Sequence, residues 1–226
     1  MRFFIIAVGL SIALMADFFP RTINTTVSGV NGDTVTLKSK LPIGMSGIVI
    51  HGYGGDLKSI TAIIKQTSAN EAKIIGKGLV AHENLPAPKT KIKAGDKVIG
   101  GYLYDNVLVL APNADVYNEI TSSYDKNWIH PDEFALFLST IKEPTPTKEN
   151  LKAFAKEYQA GLILIVKKES VVLYDPLSEK VVSKKAYNAK VTYEQAPFYM
   201  RLKKIRTGLF GSEYEGNYYK LMGNFQ

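Results

Sequence analysis

The side chains that could bind a metal ion or transfer a proton are widely separated along this sequence. The three histidines, His51, His82 and His130, have no second histidine four residues away. A catalytic zinc ion needs three converging ligands, and two of them are usually close together in the chain. Glycine or proline follows His51 and His130, as is typical of histidines in loops. We therefore predict no metal site.

Two short stretches partly match catalytic or phosphate-binding motifs. The stretch GMSG at residues 44–47 lacks the Gly-x-Ser-x-Gly spacing of a serine hydrolase, and it leads into a predicted strand rather than out of one. The glycine-rich stretch HGYGGD at residues 51–56 is not followed by a helix that would direct its N-terminus at a phosphate group. A hairpin tip explains this second stretch better.

An adjacent pair of carboxylates, Asp132 and Glu133, invites comparison with the acid and base of a hydrolase. Neighbouring residues of a helix point about 100° apart, so such a pair does not flank one substrate bond. Both follow Pro131, and acidic residues in a first turn stabilise the helix dipole. We expect no catalytic residues, no cofactor and no enzymatic activity. An unrecognised cell-wall hydrolase is an alternative that converging carboxylates or histidines would support.

A run of cationic and aromatic residues near the end of the sequence is the strongest candidate for a binding surface. Over residues 198–203, apolar and polar side chains alternate as in a strand with one basic face. Such a face either stays in solvent and protects a sheet edge, or docks an acidic partner or an anionic lipid. Tyrosines in this region suit protein contacts as well as core packing. The candidate partner-binding residues are Tyr199, Arg201, Lys203, Lys204, Arg206 and Tyr214.

The composition is that of a folded, mildly basic protein of 226 residues. Apolar residues make up 46% and charged residues 22%, which is ordinary for a folded chain. There is no cysteine, which excludes disulfides and thiolate metal sites. The formal net charge of +7 favours acidic partners, including an anionic membrane surface. No aromatic–basic RNA-binding motif is present, and we expect no nucleic-acid partner.

Residues 1–16 are typical of a secretory signal peptide. Arg2 precedes an apolar run over residues 3–15, and small residues stand near its end. The run is too short to cross a bilayer as a helix. An uncleaved anchor that also uses Phe18 and Phe19 is the alternative. We expect export to the periplasm or an association with the outer membrane.

Residues 20–111 are predicted to form an all-β module, either a small barrel or a sandwich. Asn31-Gly32 stands between two alternating runs, and this pair is a strong hairpin signal because both turn positions need positive φ. Short apolar runs follow at residues 47–50, 60–66, 72–75, 98–99 and 107–110. We expect residues 102–104 to pair with residues 107–110 around a two-residue loop.

Residues 112–226 are predicted to form an α+β module, with two or three helices packed on a short antiparallel sheet. Apolar residues recur at helical spacing after Asn113, Pro131 and Thr147, each of which suits a helix start. A meander of strands follows at residues 162–166, 171–174 and 180–185. The aromatic, basic C-terminal part is expected to add strands at residues 198–203 and 218–222.

The two predicted modules meet at Pro112. The apolar run at residues 108–110 ends abruptly at Ala111-Pro112-Asn113, which could be an active-site loop or a joint between domains. We interpret it as a joint, because the apolar period changes there from strand to helix and no catalytic constellation accompanies it. Each module is long enough to form its own core.

Three stretches together resemble a known family. NLPAP at residues 84–88, KAGD at 93–96 and LAPNADVY at 110–117 are similar in content and order to the N-terminal region of the plasminogen-binding protein PgbA family. The resemblance implies an exported protein without catalytic residues and with plasminogen, whose kringle domains bind lysine, as a partner. Named members continue into a long Lys/Glu-rich tail, and this sequence stops at Gln226. Internal Lys203-Lys204 would then have to supply the lysine.

The size, leader and layout also resemble the short flagellar motility proteins of the FlgQ type. That resemblance implies an accessory of the basal disk of the flagellar motor, working with the lipoprotein FlgP. Our main prediction is therefore a non-enzymatic envelope protein that acts by protein–protein assembly, in several copies, at the flagellar motor. The alternative is a surface adhesin that binds plasminogen.

Overall fold

The computed structural model describes residues 18–77, 90–188, 191–206 and 216–225. The predicted signal peptide at residues 1–16, the NLPAP stretch at residues 84–88 and Tyr214 lie outside these ranges. In chain order the elements are β1 (Ile23–Asn31), β2 (Thr34–Leu37), β3 (Ser46–Gly54), β4 (Leu57–Gln66), β5 (Glu71–Gly76), β6 (Lys97–Gly100), β7 (Asn106–Leu110), α1 (Ala114–Ser123), β8 (Asn127–Ile129), α2 (Pro131–Ile141), α3 (Lys148–Glu157), β9 (Leu162–Val166), β10 (Ser170–Asp175), β11 (Lys180–Ala186) and α4 (Tyr218–Met222). Among the described residues, no helix combines the length and apolarity needed to cross a membrane.

The first six strands close into a barrel in the order β1-β2-β5-β4-β3-β6, with all neighbouring strands antiparallel. Gly32 in the β1–β2 turn has a φ of 58°, which fits the predicted Asn-Gly hairpin. Two of the predicted strands, at residues 60–66 and 72–75, pair with each other in the β4–β5 ladder. Alternate side chains such as Val27, Val35 and Val98 are fully buried inside. The barrel alternative is therefore confirmed.

The other five strands form a mixed sheet in the order β11-β10-β9-β7-β8. The pairs β11–β10 and β10–β9 are antiparallel, whereas β9–β7 and β7–β8 are parallel. The prediction of an antiparallel sheet is thus wrong for two of the four pairs. Helix α1 connects β7 to β8, and α2 and α3 lie between β8 and β9, so crossover connections bring these strands together in parallel.

Residues 102–104 form a turn instead of the predicted strand, and β7 belongs to the second sheet rather than to the barrel. The loop turns at Leu103, whose φ is 64°. It is held by tertiary contacts: the backbone of Gly161 lies directly against Leu103, and the buried ring of Tyr104 reaches towards the end of β10. The local alternation of apolar residues does not reveal these contacts.

The predicted helix starts are confirmed. Asn113 caps α1 by accepting a hydrogen bond from the backbone of Val116 at 2.9 Å, and Thr147 caps α3 in the same way. Pro131 is the first residue of α2, with Asp132 in its first turn. The predicted strands at residues 198–203 and 218–222 are wrong. The first stretch is irregular, and the second is the short helix α4.

Two apolar clusters cover opposite faces of the second sheet. One joins the sheet to α2, α3 and α4. The other is continuous from the barrel, through residues such as Val35 and Val98, to Val109 and Leu164 on the opposite face of the sheet. Successive strand residues alternate between the clusters, as the pleat requires. Two separate cores divided at Pro112 are therefore not confirmed, and a division into two folding units stays a prediction.

A buried carboxylate also joins the barrel to the second sheet. Asp175, at the end of β10, accepts hydrogen bonds from the backbone N–H of Ser46 at 2.8 Å and from the Tyr104 hydroxyl at 2.6 Å. Its other oxygen accepts from the backbone N–H groups of Leu177 and Ser178. Burial raises the pKa of Asp175, while these hydrogen bonds act in the opposite direction.

Phe18 and Phe19 pack into the folded structure. Their rings lie 5.8 Å and 5.1 Å from the ring of Tyr124, and Phe19 also contacts Trp128. Only 8% of Phe18 and 5% of Phe19 is exposed. Both rings are therefore part of the core, and the choice between a cleaved leader and an uncleaved anchor stays a prediction.

Candidate partner-binding surface

The segment at residues 198–206 lies along α2 and carries most of the predicted partner-binding residues. It holds on to the helix at two points: the backbone N–H of Arg201 donates to Asp132 at 2.7 Å, and that of Arg206 donates to the Ser139 hydroxyl at 3.0 Å. Phe198 is fully buried and stacks on Phe134 at 5.5 Å. The alternation seen in the sequence thus comes from side chains entering the core beside α2, and not from a strand.

Arg201 and Asp132 form an ion pair at one end of this segment. The Arg201 Nε donates to Asp132 Oδ2 at 2.7 Å, and the backbone N–H of Arg201 donates to the other carboxylate oxygen. Burial by itself would raise the pKa of Asp132, but the hydrogen bonds from Arg201 and the nearby His130 bring it below its usual value. Because its side chain is neutralised here, Arg201 contributes less free charge than the sequence suggests.

Lys203, Lys204 and Arg206 are exposed and lie beside one side of α2. They line a groove of about 680 Å³, which we call the basic groove; its other residues are Leu136, Ser139, Thr140 and Leu202. Leu136 is 59% exposed. No acidic side chain lines the groove among the described residues. A partner here meets three cations beside an uncovered leucine.

Lys203 and Lys204 form the outward tip of the segment. Leu202 is half-buried and Ile205 is buried, while the hydrogen bonds of Arg201 and Arg206 fix the segment on either side of the tip. Among the described ion pairs, neither lysine has a carboxylate partner. The two ammonium groups are therefore presented on a fixed backbone with free side chains.

Tyr199, one of the predicted partner-binding residues, packs against two other aromatic side chains. Its ring lies 5.4 Å from that of Tyr117 and 6.0 Å from that of His130, and it is half-buried. Its backbone N–H donates to Ala111 at the corner that begins α1. Burial lowers the pKa of His130, although Asp132 opposes this. Tyr199 thus fixes the segment, and Tyr214 lies outside the described residues.

The corner at Pro112 is covered by residues 193–199, which run into this segment. Gln195 donates its backbone N–H to Pro112 at 2.7 Å, and the side chain of the fully buried Asn113 donates to Tyr193. The sequence alternatives for this corner were an active-site loop and a domain joint. The structure shows a closed junction between the strand β7, the helix α1 and residues 193–199.

Histidine and carboxylate side chains do not gather into a metal-binding group in the described part of the chain. It contains no group of three or more His, Cys, Asp or Glu side chains arranged to hold a metal ion. His51 Nδ1 lies 2.6 Å from Asp96, and the same carboxylate accepts the backbone N–H of Lys93. Asp96 thereby holds the turn before β6, and this structural role explains why it is buried beside His51.

Sequence reasoning missed Leu136, Ser139 and Thr140. A signal for Leu136 is present, because the buried face of α2 at Phe134, Phe137 and Leu138 leaves this leucine on the other side of the helix. Ser139 and Thr140 carry no comparable signal. Their role depends on a segment more than sixty residues later in the sequence that lies beside them.

Comparisons with known proteins relate this chain to one protein family. The family model described as plasminogen-binding protein pgbA N-terminal matches residues 22–224. The plasminogen-binding protein PgbA of Helicobacter pylori strain J99 is 27% identical over 136 residues, which is 59% of this chain and 30% of that protein. The chain thus spans less than a third of that relative. No solved structure matches.

Proposed function

The chain belongs to the PgbA N-terminal family, and on this premise we propose that it is a non-enzymatic binding module that presents lysine side chains to plasminogen. The observation that carries the proposal is the exposed Lys203–Lys204 tip, fixed to α2 on both sides. A lysine that enters a pocket on another protein must extend freely from a backbone that does not move away. The tip meets both conditions.

The surroundings of the tip also suit recognition of a lysine by a partner. Leu136 and Leu202 offer apolar contact beside the ammonium groups, and Arg206 adds a third cation. Apolar area with cations at its rim is the composition expected of a protein-docking patch, in which the apolar part supplies affinity and the charges supply orientation. Arg201 supports this arrangement through its pair with Asp132.

The proposal is tested by surface plasmon resonance with the purified chain and plasminogen at physiological salt. We expect binding that the lysine analogue 6-aminohexanoate competes away. The double variant Lys203→Ala/Lys204→Ala should bind at least about tenfold more weakly, since each lost charged contact contributes on the order of 1 kcal/mol or more.

The matched control is Lys38→Ala/Lys40→Ala, which removes two exposed lysines from the barrel side of the molecule. If the control keeps its affinity for plasminogen and the first variant loses it, the result supports binding through the Lys203–Lys204 tip. Binding that is insensitive to the lysine analogue, or equal losses in both variants, would contradict it.

The main sequence prediction, an assembly role at the flagellar motor with FlgP as a partner, is a second candidate. One observation favours assembly: β11 is the edge strand of the second sheet, where a further strand could pair. Localisation in the periplasm or at the outer membrane belongs to the same proposal. Deletion of the gene, followed by electron tomography of the motor, tests it; normal motility with an intact basal disk would rule this role out.

A further inference from the structure

A second cleft, away from the basic groove, is lined by lysines. It has a volume of about 430 Å³, and its lining residues are Lys167, Lys168, Asn217, Tyr219, Lys220 and Gly223. Half of these residues are lysines and none is acidic. The lysines come from the β9–β10 turn and from α4, so the fold brings them together from distant parts of the chain. We call this the lysine cleft.

Lys167 is the most unusual residue of the cleft. It is half-buried, and its Nζ donates to the backbone carbonyl of Phe225 at 2.5 Å. Burial, followed by the nearby Lys184 cation, lowers the pKa of Lys167. Among the described ion pairs it has no carboxylate partner. A half-buried cation that faces other cations is unfavourable unless an anion enters beside it.

Tyr219 separates the lysine cleft from an adjoining groove. Lys168 Nζ lies 5.9 Å from the centre of its ring. The adjoining groove, of about 530 Å³, shares Lys168, Asn217 and Tyr219 with the cleft and continues along Val191, Thr192, Tyr193 and Glu194. Its lining holds hydroxyl groups, an amide and one carboxylate. Positive charge is thus concentrated at one end, and hydrogen-bonding groups, among them the Glu194 carboxylate, line the other.

We propose that the lysine cleft binds a phosphate or carboxylate group that is attached to a polar, hydroxyl-bearing body, such as a sugar phosphate or a sugar acid. The ammonium groups of Lys167, Lys168 and Lys220 receive the anionic group, since lysine binds such groups as a point charge. The body crosses the ring of Tyr219 and hydrogen-bonds in the adjoining groove. This site is independent of the plasminogen proposal, because it shares no residue with the basic groove.

Isothermal titration calorimetry of the full chain in physiological salt tests the proposal with four probes: inorganic phosphate, glucose 6-phosphate, glucuronate and glucose. We expect glucose 6-phosphate or glucuronate to bind more tightly than inorganic phosphate, and glucose not to bind. Preference between the first two identifies the anionic group. Binding of inorganic phosphate alone, equal binding of glucose, or no binding of any anion overturns the proposal.

Two variants and one control locate the site. Lys220→Gln removes an exposed cation of the cleft and should weaken binding of the preferred probe at least about fivefold. Lys167→Met keeps the apolar stem and should weaken binding of the preferred probe further. A thermal melt shows whether this variant is folded. If it is not, the result for Lys220→Gln alone decides whether the probe binds in the lysine cleft. Lys156→Gln, on the exposed side of α3, is the control and should leave affinity unchanged. Equal effects of Lys156→Gln and Lys220→Gln contradict the assignment.

Discussion

At the residue scale, Asp175 shows how a single side chain fastens two layers of the molecule. Its carboxylate accepts hydrogen bonds from Ser46 and Tyr104 on one side and from Leu177 and Ser178 on the other. All four partners are donors, so an acceptor is needed at both oxygens. The side-chain amide of an asparagine at this position would have an acceptor oxygen at only one of these two places.

We therefore expect Asp175→Asn to lower the free energy of unfolding by about 2 kcal/mol, because at least one buried N–H donor loses its acceptor. Urea unfolding followed by circular dichroism measures this change. Asp56→Asn, an identical substitution at the exposed tip between β3 and β4, is the control and should be nearly neutral. An Asp175→Asn variant as stable as the control would show that these hydrogen bonds do not hold the layers together.

Asp132 gives a prediction that depends on pH. The pKa of its carboxyl is lower in the folded protein than in the unfolded chain, chiefly through Arg201 once the opposing effect of burial is overcome. A lowered pKa means that the stabilisation is complete above the unfolded pKa, near 4, and is lost as pH falls through the folded pKa.

Asp132→Asn should therefore cost about 1 kcal/mol of unfolding free energy at pH 7 and much less at pH 3. Arg201→Ala should cost less than Asp132→Asn at pH 7, because it removes only the exposed side-chain partner and leaves the backbone N–H bond to Asp132 in place. Unfolding curves at the two pH values decide this. A cost for Asp132→Asn that is the same at both pH values would contradict the assignment.

At the scale of elements, local sequence signals predicted the barrel hairpins and the helix starts. They failed for elements whose position depends on contacts with residues far away in the sequence. The Asn31-Gly32 turn and the Asn113 and Thr147 caps depend on a few neighbouring residues, so the sequence contains their whole cause. The parallel position of β7 depends on a strand some fifty residues later.

The sequence predicted which cations the candidate surface carries, but not which helix they lie beside. Lys203, Lys204 and Arg206 are recognisable as exposed cations, because lysine and arginine side chains rarely become buried. The opposite wall of the basic groove belongs to α2, and no local pattern tells that residues 198–206 run beside that helix. Period-two alternation cannot distinguish a strand from an irregular segment that buries every second side chain.

Gly161 marks the closest contact between two elements. A Cβ atom at this position would lie 2.0 Å from the backbone oxygen of Leu103. Gly161→Ala should therefore lower the free energy of unfolding by more than about 3 kcal/mol, since backbone on both sides must move. Gly29→Ala, in β1, is the control, because its Cβ would have ordinary contacts of 3.8 Å or more. Chemical denaturation of both variants compares them, and similar stabilities would contradict this packing.

At the scale of the whole molecule, the shared apolar cluster couples the barrel to the second sheet. Barrel residues such as Val35 belong to the same cluster as Val109 and Leu164 of the sheet. Elements that share one core are expected to unfold together in one cooperative transition. The only tryptophan, Trp128, lies in β8 at the edge of the second sheet and belongs to none of the barrel strands.

Val35→Ala, a substitution inside the barrel, should therefore shift the unfolding transition seen by Trp128 fluorescence by about 2 kcal/mol. Circular dichroism should show the same midpoint. If the barrel were an independent unit, the Trp128 midpoint would stay where it is in the unmodified protein. That outcome would support the division at Pro112 that the sequence predicts.

The burial of Phe18 and Phe19 sets an order of events while the chain is being made. Their rings contact Tyr124 and Trp128, about a hundred residues further along, so they stay unpacked until that distant region has emerged. Contacts between residues so far apart form late in folding. The N-terminal end of the described fold therefore joins the core only after the region of Tyr124 and Trp128 has been made.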